Sequence, residues 1–283
     1  MKTPDWYVFK DFVDSLPQKE KKQELLKLLS TDELEDVQQT PSLSFHPSHG
    51  LSSYQERLAD IHYSWFIPFL ERLHDPDKPL FIAPLTTQKA SLYTHFDVLR
   101  SVDSLTSQAE HFISQTLYTY LIKDYDIILP KECLPDDPLN ALLDLSREQL
   151  LQMVDMLSLH DLSLEMKTLI SSAQLLKIEA SLSSMQKNYL YELKKKIEPI
   201  AFKPMGLHRW NGDEILLKKI LHQRGLNRLS KALSASHHSL LWHLSHKLDM
   251  GRASVVKALF KTVKNKKAIH VLVSQVCDLA ASL

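Results

Sequence analysis

The sequence predicts an all-α protein: stacked antiparallel helical hairpins (a helical array) leading into a basic C-terminal helical bundle. Three observations predict it. Capping-box patterns begin at Ser30, Ser52, Ser146 and Ser183, each followed three residues later by Glu33, Gln55, Gln149 or Gln186; in such a box the serine oxygen takes the N3 amide and the acid or amide side chain reaches back to the N-cap amide. Apolar residues between 139 and 196 recur at three- and four-residue steps, the period of one helical face. All 13 prolines lie at or before Pro204, whereas four of the 5 glycines lie at or after Gly206, so the C-terminal segment can run in long helices without an interior breaker.

Residues 1–135 read as an N-terminal helical region. Met1-Lys2-Thr3-Pro4-Asp5-Trp6 puts no apolar stretch behind a basic start, and no segment approaches the roughly 18 apolar residues of a membrane span, so a cytoplasmic protein is expected. Residues 36–50, with Thr40-Pro41-Ser42 and His46-Pro47-Ser48-His49-Gly50, read as a polar loop. The run from Ile61 to Leu70, with Tyr63, Trp65, Phe66 and Phe69, reads as an aromatic turn or helix start in the core. Asp75-Pro76-Asp77-Lys78-Pro79 is a second break, and Pro130 to Pro138, enclosing Cys133, is the boundary to the next region. The paired carboxylates Asp75 with Asp77 and Asp136 with Asp137 fall in these turns, where such residues bind local amides more often than they move protons.

Residues 136–200 read as the helical array. Leu150, Leu151, Val154 and Leu157, then Leu164, Leu169 and Ile170, line one stripe, with Gln152, Asp155, Glu165 and Lys167 between them. Short helices cannot bury such stripes alone and must stack on neighbours. Residues 201–283 read as the basic bundle, with turns near Gly225 and Gly251. In it Leu240, Leu241, Leu244 and Leu248 form a core face. His237, His238, His243 and His246 are clustered nearby, and the step from His243 to His246 could offer two imidazoles to a divalent metal. With only Asp249 as a nearby carboxylate, the preferred reading is a solvent-facing His and Lys stripe, so no metal and no cofactor is expected.

Composition bounds the function. Hydrophobic residues make up 44% and charged residues 24% of the chain, the balance of an ordinary globular protein. The net charge of zero hides a split: residues 1–200 carry 20 Lys and Arg against 30 Asp and Glu, whereas residues 201–283 carry 14 against 4. A basic end meets something acidic, either a partner or the acidic body of the same molecule. None of the glycines is spaced as a phosphate-binding loop, and no GxSxG, HExxH or EF-hand run occurs, so no catalytic residue is assigned. Cys133 and Cys277 lack CxxC spacing and read as free, reduced thiols.

The candidate partner-binding residues are Arg209, Trp210, Arg224, Arg228 and Trp242. Arginine forks match carboxylates or phosphates, and a tryptophan supplies a flat apolar anchor; Trp210 could instead close the core between array and bundle. A nucleic-acid-binding regulator is the alternative, because two helices joined near Gly225 would have the length of a helix-turn-helix, with Lys257, Lys261, Lys264, Lys266 and Lys267 following phosphates.

Two resemblances add to this. Pro138 to Leu143, Leu145 to Leu150 and Leu157 to Met166 resemble the middle helical array of the flagellar rotor switch protein FliG, in which a helix start carries Glu-His-Pro-Gln; here His160 is kept, with Leu159, Asp161 and Leu162 at the other three positions. The helices around Leu216 to Leu221, Leu229 to Leu233 and Leu240 to Leu248 are similar to the SctK-like sorting-platform adaptors of the bacterial type III secretion apparatus. That resemblance implies a non-enzymatic adaptor in the bacterial cytoplasm, peripheral to the inner membrane through its partners. The implied partners are the cytoplasmic domain of the inner-membrane ring and a cytosolic pod or ring protein, with no small-molecule substrate.

Overall fold

The computed structural model describes residues 6, 9, 10, 13, 19–40, 52–98, 105–260 and 265–283, and among them the regular elements are all helical. The chain divides into two compact units, Met1–Ser53 and Tyr54–Leu283.

In the first unit, α1 (Lys19–Leu26) precedes α2 (Thr31–Gln39). The capping box at Ser30 is closed in both directions with Glu33. Asp32 and Glu33 add negative charge at the positive end of the helix dipole. Val37 is buried, as are Trp6 and Val13. Residues 36–39 thus form the last turn of α2 rather than a loop, because the box sets the helix in register; the remainder of that loop, from 41, lies outside the described residues.

The second unit begins with α3 (Tyr54–Ala59), α4 (Ile67–Leu70), α5 (Lys78–Ile82), α6 (Lys89–Phe96) and α7 (Ser107–Ile122). Ile61, Phe66 and Leu70 are buried as the aromatic run predicted, in a core with Leu58, Ile82, Leu92, Leu117 and Tyr118. Gln88, buried here, donates to the carbonyls of Leu58, Ala59 and Ile61 (2.9, 3.0 and 2.6 Å) and so ties off the end of α3.

Then follow α8 (Arg147–Met166), α9 (Ser172–Ala180), α10 (Ser184–Lys194), α11 (Glu214–Ala232), α12 (His238–Lys247), α13 (Met250–Leu259) and α14 (Lys266–Ala280). Reciprocal boxes at Ser146 with Gln149 and Ser183 with Gln186 start α8 and α10. Three features depart from the sequence reading. First, α8 is one helix of 20 residues, buried on nearly all sides, because it lies at the centre and packs most extensively on α11 and then on α10. Ile170, counted in its stripe, is 98% exposed beyond its end. Array and bundle therefore share one core, within the compact unit Tyr54–Leu283.

Second, Gly225 lies within α11 and makes no turn. A Cβ there would stand 1.8 Å from the Val154 carbonyl oxygen, so the missing side chain lets α11 meet the backbone of α8. Gly251 likewise sits in the first turn of α13, which Asp249 caps by accepting from the Arg252 amide. Third, the chain just before the Pro130 to Pro138 segment is stitched to α12. The Leu129 amide donates to Ser239 Oγ (3.0 Å), and the Leu129 carbonyl is 2.8 Å from His243 Nε2.

Candidate protein-docking cleft

The structure separates the five candidate partner residues. Arg228 is fully buried. Its Nε and Nη2 donate to Asp161 Oδ1 (3.0 and 2.6 Å), Nη1 to Gln275 Oε1 (2.8 Å), and Nη2 to the Ile200 carbonyl (3.1 Å). Glu198, 3.4 Å from Nη1, also contacts Gln275 and lies 2.5 Å from His160 Nδ1; His160 Nε2 meets the Tyr189 hydroxyl at 2.9 Å. Burial pushes the Glu198 carboxyl up, but the His160 hydrogen bond and the Arg228 charge outweigh it and hold the group down at about 2. Burial, with the Glu198 charge, drives Tyr189 up to about 12. This network ties α8, the 198–200 segment, α11 and α14 together, so Arg228 is a structural cross-link and not a partner contact. His160, the residue shared with the FliG-like motif, belongs to it.

Trp210 and Trp242 are also corrected. Trp210 is 7% exposed, donates Nε1 to the Asp213 carbonyl (2.8 Å), and closes the α8–α11 core. Trp242 is 2% exposed and lies in the core built by α3 to α7. Arg209 is exposed and Arg224 half-buried, so of the five these are the residues that solvent reaches.

The expected solvent-facing stripe on α12 is also overturned, since His243, His246 and Lys247 are all buried. The helix lies between the two cores, so polar side chains on its second face are enclosed and bonded locally. Lys247 donates to the carbonyls of Leu143 and Leu145, the latter at 2.6 Å. His246 is sandwiched between Trp65 and Trp242, both with ring centroids 4.0 Å away, and its Nδ1 lies 2.7 Å from the Trp242 carbonyl. Burial lowers His246 to about 3, and burial with the Arg147 charge lowers His62 to about 4. Among the described residues no group of three or more His, Cys, Asp or Glu could hold a metal.

The sign of the resulting pH dependence follows from these depressed values. Between the ordinary histidine value and about 3, the unfolded chain takes up a proton that folded His246 refuses. Stability is thus full above the ordinary value and falls as pH falls toward about 3. Urea midpoints measured from neutral pH downward should decline through this window, and His246→Gln should flatten the decline. A midpoint with the same slope in both proteins would contradict the assignment.

A cleft of about 590 Å³ is lined by α8, α10, α11 and α13 together with the 181–182 turn. Leu217 and Leu221, four residues apart on α11, floor it with Leu182, Leu226 and Val255, while Lys218 and His222 follow the same four-residue step beside them. Across it runs a polar chain. His222 Nδ1 lies 2.7 Å from Asp155 Oδ1, Arg252 Nε donates to His222 Nε2 (2.9 Å), and Arg252 Nη1 pairs with Asp249 Oδ2. Since a guanidinium can only donate, His222 Nε2 accepts and the imidazole proton sits on Nδ1, facing Asp155. With both ring nitrogens engaged, the histidine positions Arg252 rather than serving as a base. Ser181 Oγ, also in the cleft, bonds the Lys177 carbonyl (2.9 Å).

A second, smaller groove of about 430 Å³ lies on α9 and α10, where Leu176 and Tyr191 are 67% and 62% exposed beside Ala180, Leu190 and Lys187. Neither surface was singled out from the sequence. The step from Lys218 to His222 was a visible signal for the cleft, but the partner of His222, Asp155, is 67 residues away.

No family model matches the chain, and neither a curated protein nor a solved structure is significantly similar to it. No described helix is long and apolar enough to cross a membrane.

Proposed function

We propose that the protein is a non-enzymatic adaptor of a bacterial type III secretion apparatus, held at the inner membrane through its partners and bridging the membrane ring to a cytosolic sorting-platform protein. The observation that supports an adaptor role is the pair of separate surface recesses in Tyr54–Leu283: the cleft on α11 and α13, and the groove on α9 and α10 where Leu176 and Tyr191 are exposed. A bridging protein requires two docking surfaces, and the exposed Leu176 and Tyr191 are apolar ground of the kind that marks one. The secretion apparatus enters through the resemblance of the C-terminal helices, of which α11 also lines the cleft. The nucleic-acid alternative loses its helix-turn-helix, because α11 runs unbroken through Gly225.

The test is affinity purification of the tagged full-length protein from its native cells. Lys218→Glu with Lys219→Glu is the paired variant, since both side chains are exposed at the cleft rim; Arg228 is unsuitable because its loss would disturb the core. Secretion-ring or pod proteins recovered with the wild type and depleted with the variant are the expected result. Nuclease-sensitive material without ring components would overturn the reading.

A further inference from the structure

We propose that the groove on α9 and α10 seats an acidic amphipathic helix of a partner protein, with apolar side chains laid against Leu176 and Tyr191 and a carboxylate met by Lys187; this rests on the adaptor reading above, of whose two recesses the groove is one. The seat is open ground. α9 turns Ile178 into the core, and α10 turns Leu190 and Leu193 inward. That leaves Leu176 on one wall and Tyr191 on the other, 67% and 62% exposed. Leu176 and Ala180 are four residues apart on α9, and Lys187, Tyr191 and Lys194 follow steps of four and three on α10, so each wall is one ridge of a helix. A gap of about 430 Å³ between two such ridges is where a third helix lays side chains spaced three and four apart. Tyrosine is among the residues enriched at such contacts, because it brings a large rigid surface at small entropic cost.

The local charge selects the occupant. Residues 1–200 are acidic overall, yet residues 171–197, which contain both helices, hold Lys177, Lys187, Lys194, Lys195 and Lys196 against Glu179 and Glu192. Both glutamates are already matched, Glu179 by Lys194 and Glu192 by Lys195, each at 2.8 Å. The other three lysines are exposed and pair with no acid among the described residues, and of these Lys187 stands in the groove itself. Three unmatched cations on one pair of short helices repel a basic segment and equally a second copy of the same surface, whereas an acidic segment is drawn in. The recess between ridges suits a helix better than it suits a flat lipid surface.

The experiment uses the full-length protein in its native cells, with Ala180→benzoylphenylalanine as a photo-cross-linker on the exposed wall of the groove and Gln223→benzoylphenylalanine, exposed in the α11 and α13 cleft, as the comparison. Cross-linked peptides are sequenced by mass spectrometry. The expected adduct at position 180 is a segment of another protein with apolar residues at three- and four-residue steps and an excess of Asp and Glu. Leu176→Ser and Lys187→Glu, both at exposed positions, should each lower its yield at least tenfold. Changing an acidic residue of the captured segment to lysine should restore the yield against Lys187→Glu, which loss of fold would not allow. A basic or non-helical segment, a peptide of this same chain, a lipid adduct, no adduct at position 180, or a yield that neither variant lowers overturns the proposal. An acidic helix from a protein outside any secretion apparatus would sustain the groove's chemistry and overturn the secretion role. Secretion proteins captured at position 223 with none at 180 would do the reverse.

Discussion

Arg228→Ala is expected to lower unfolding stability by about 3–5 kcal/mol, the range for removing one member of a buried, hydrogen-bonded ion group. The cost comes less from the lost attraction than from what is left behind. Asp161 and Glu198 would remain enclosed without their common cation, and Gln275 Oε1 and the Ile200 carbonyl would lose their Arg228 donor. Asp161 Oδ2 already has no partner among the described residues, and burial pushes that carboxyl up even with Arg228 beside it. Urea unfolding of wild type and variant measures the difference. Arg228→Met combined with Asp161→Leu and Glu198→Gln should recover part of the loss, because no buried charge of the pair is then stranded. The acid limb carries the same information. Glu198 is held at about 2, below its ordinary value, so its contribution is present above that ordinary value and is lost as pH falls toward about 2. Arg228→Ala should make this part of the profile shallower. A loss under about 1 kcal/mol, the level of an exposed ion pair, would show that the network is not closed in solution.

Gly225→Ala is expected to destabilise the protein even though alanine is the better helix former by about 1 kcal/mol. The new Cβ would stand 1.8 Å from the Val154 carbonyl oxygen and 2.7 Å from its carbon, so α8 and α11 must move apart along the most extensive helix contact of the unit. Overpacking costs about 1–3 kcal/mol where side chains can adjust, and here the obstacle is backbone, which places the expected loss at the upper end. A second variant separates the causes. Val154→Ala removes Cγ1, which lies 2.9 Å from where the alanine methyl would sit, but leaves the carbonyl in place, so the double variant should recover little. Full recovery, or a neutral Gly225→Ala, would mean that the helices do not approach at this point.

The parts legible in the sequence are those written in local interactions. Ser30, Ser146 and Ser183 each close a box with a residue three positions on, and a helix begins at Tyr54 just after the fourth pattern. The aromatic run around Phe66 is core because its residues are too apolar to remain in water. Asp137 accepts from the Leu139 amide at 2.9 Å, as a turn-forming acid does. Of the candidate site, the sequence carried only the basic, arginine-bearing character of the C-terminal segment. The sequence points to Arg209, Arg224 and Arg228, of which Arg228 is buried, whereas the arginine that lines the solvent-open cleft is Arg252, outside the Arg209 to Arg228 run.

By itself, the sequence determined the all-helical class, the starts of α2, α3, α8 and α10, and the acidic and basic division of the chain, since capping, proline placement and charge act within a few residues or need no folded partner. Only the tertiary structure decided that Gly225 is a helix crossing, that Arg228, Trp210 and Trp242 face inward, and that His222 and Arg252 join in one cleft. Each of those depends on what lies opposite: Val154 against Gly225, Asp161 at 67 residues from Arg228, and Asp155 at 67 from His222. Burial and pairing belong to the neighbours that folding brings together, and a helical period marks an apolar face without naming the surface that covers it.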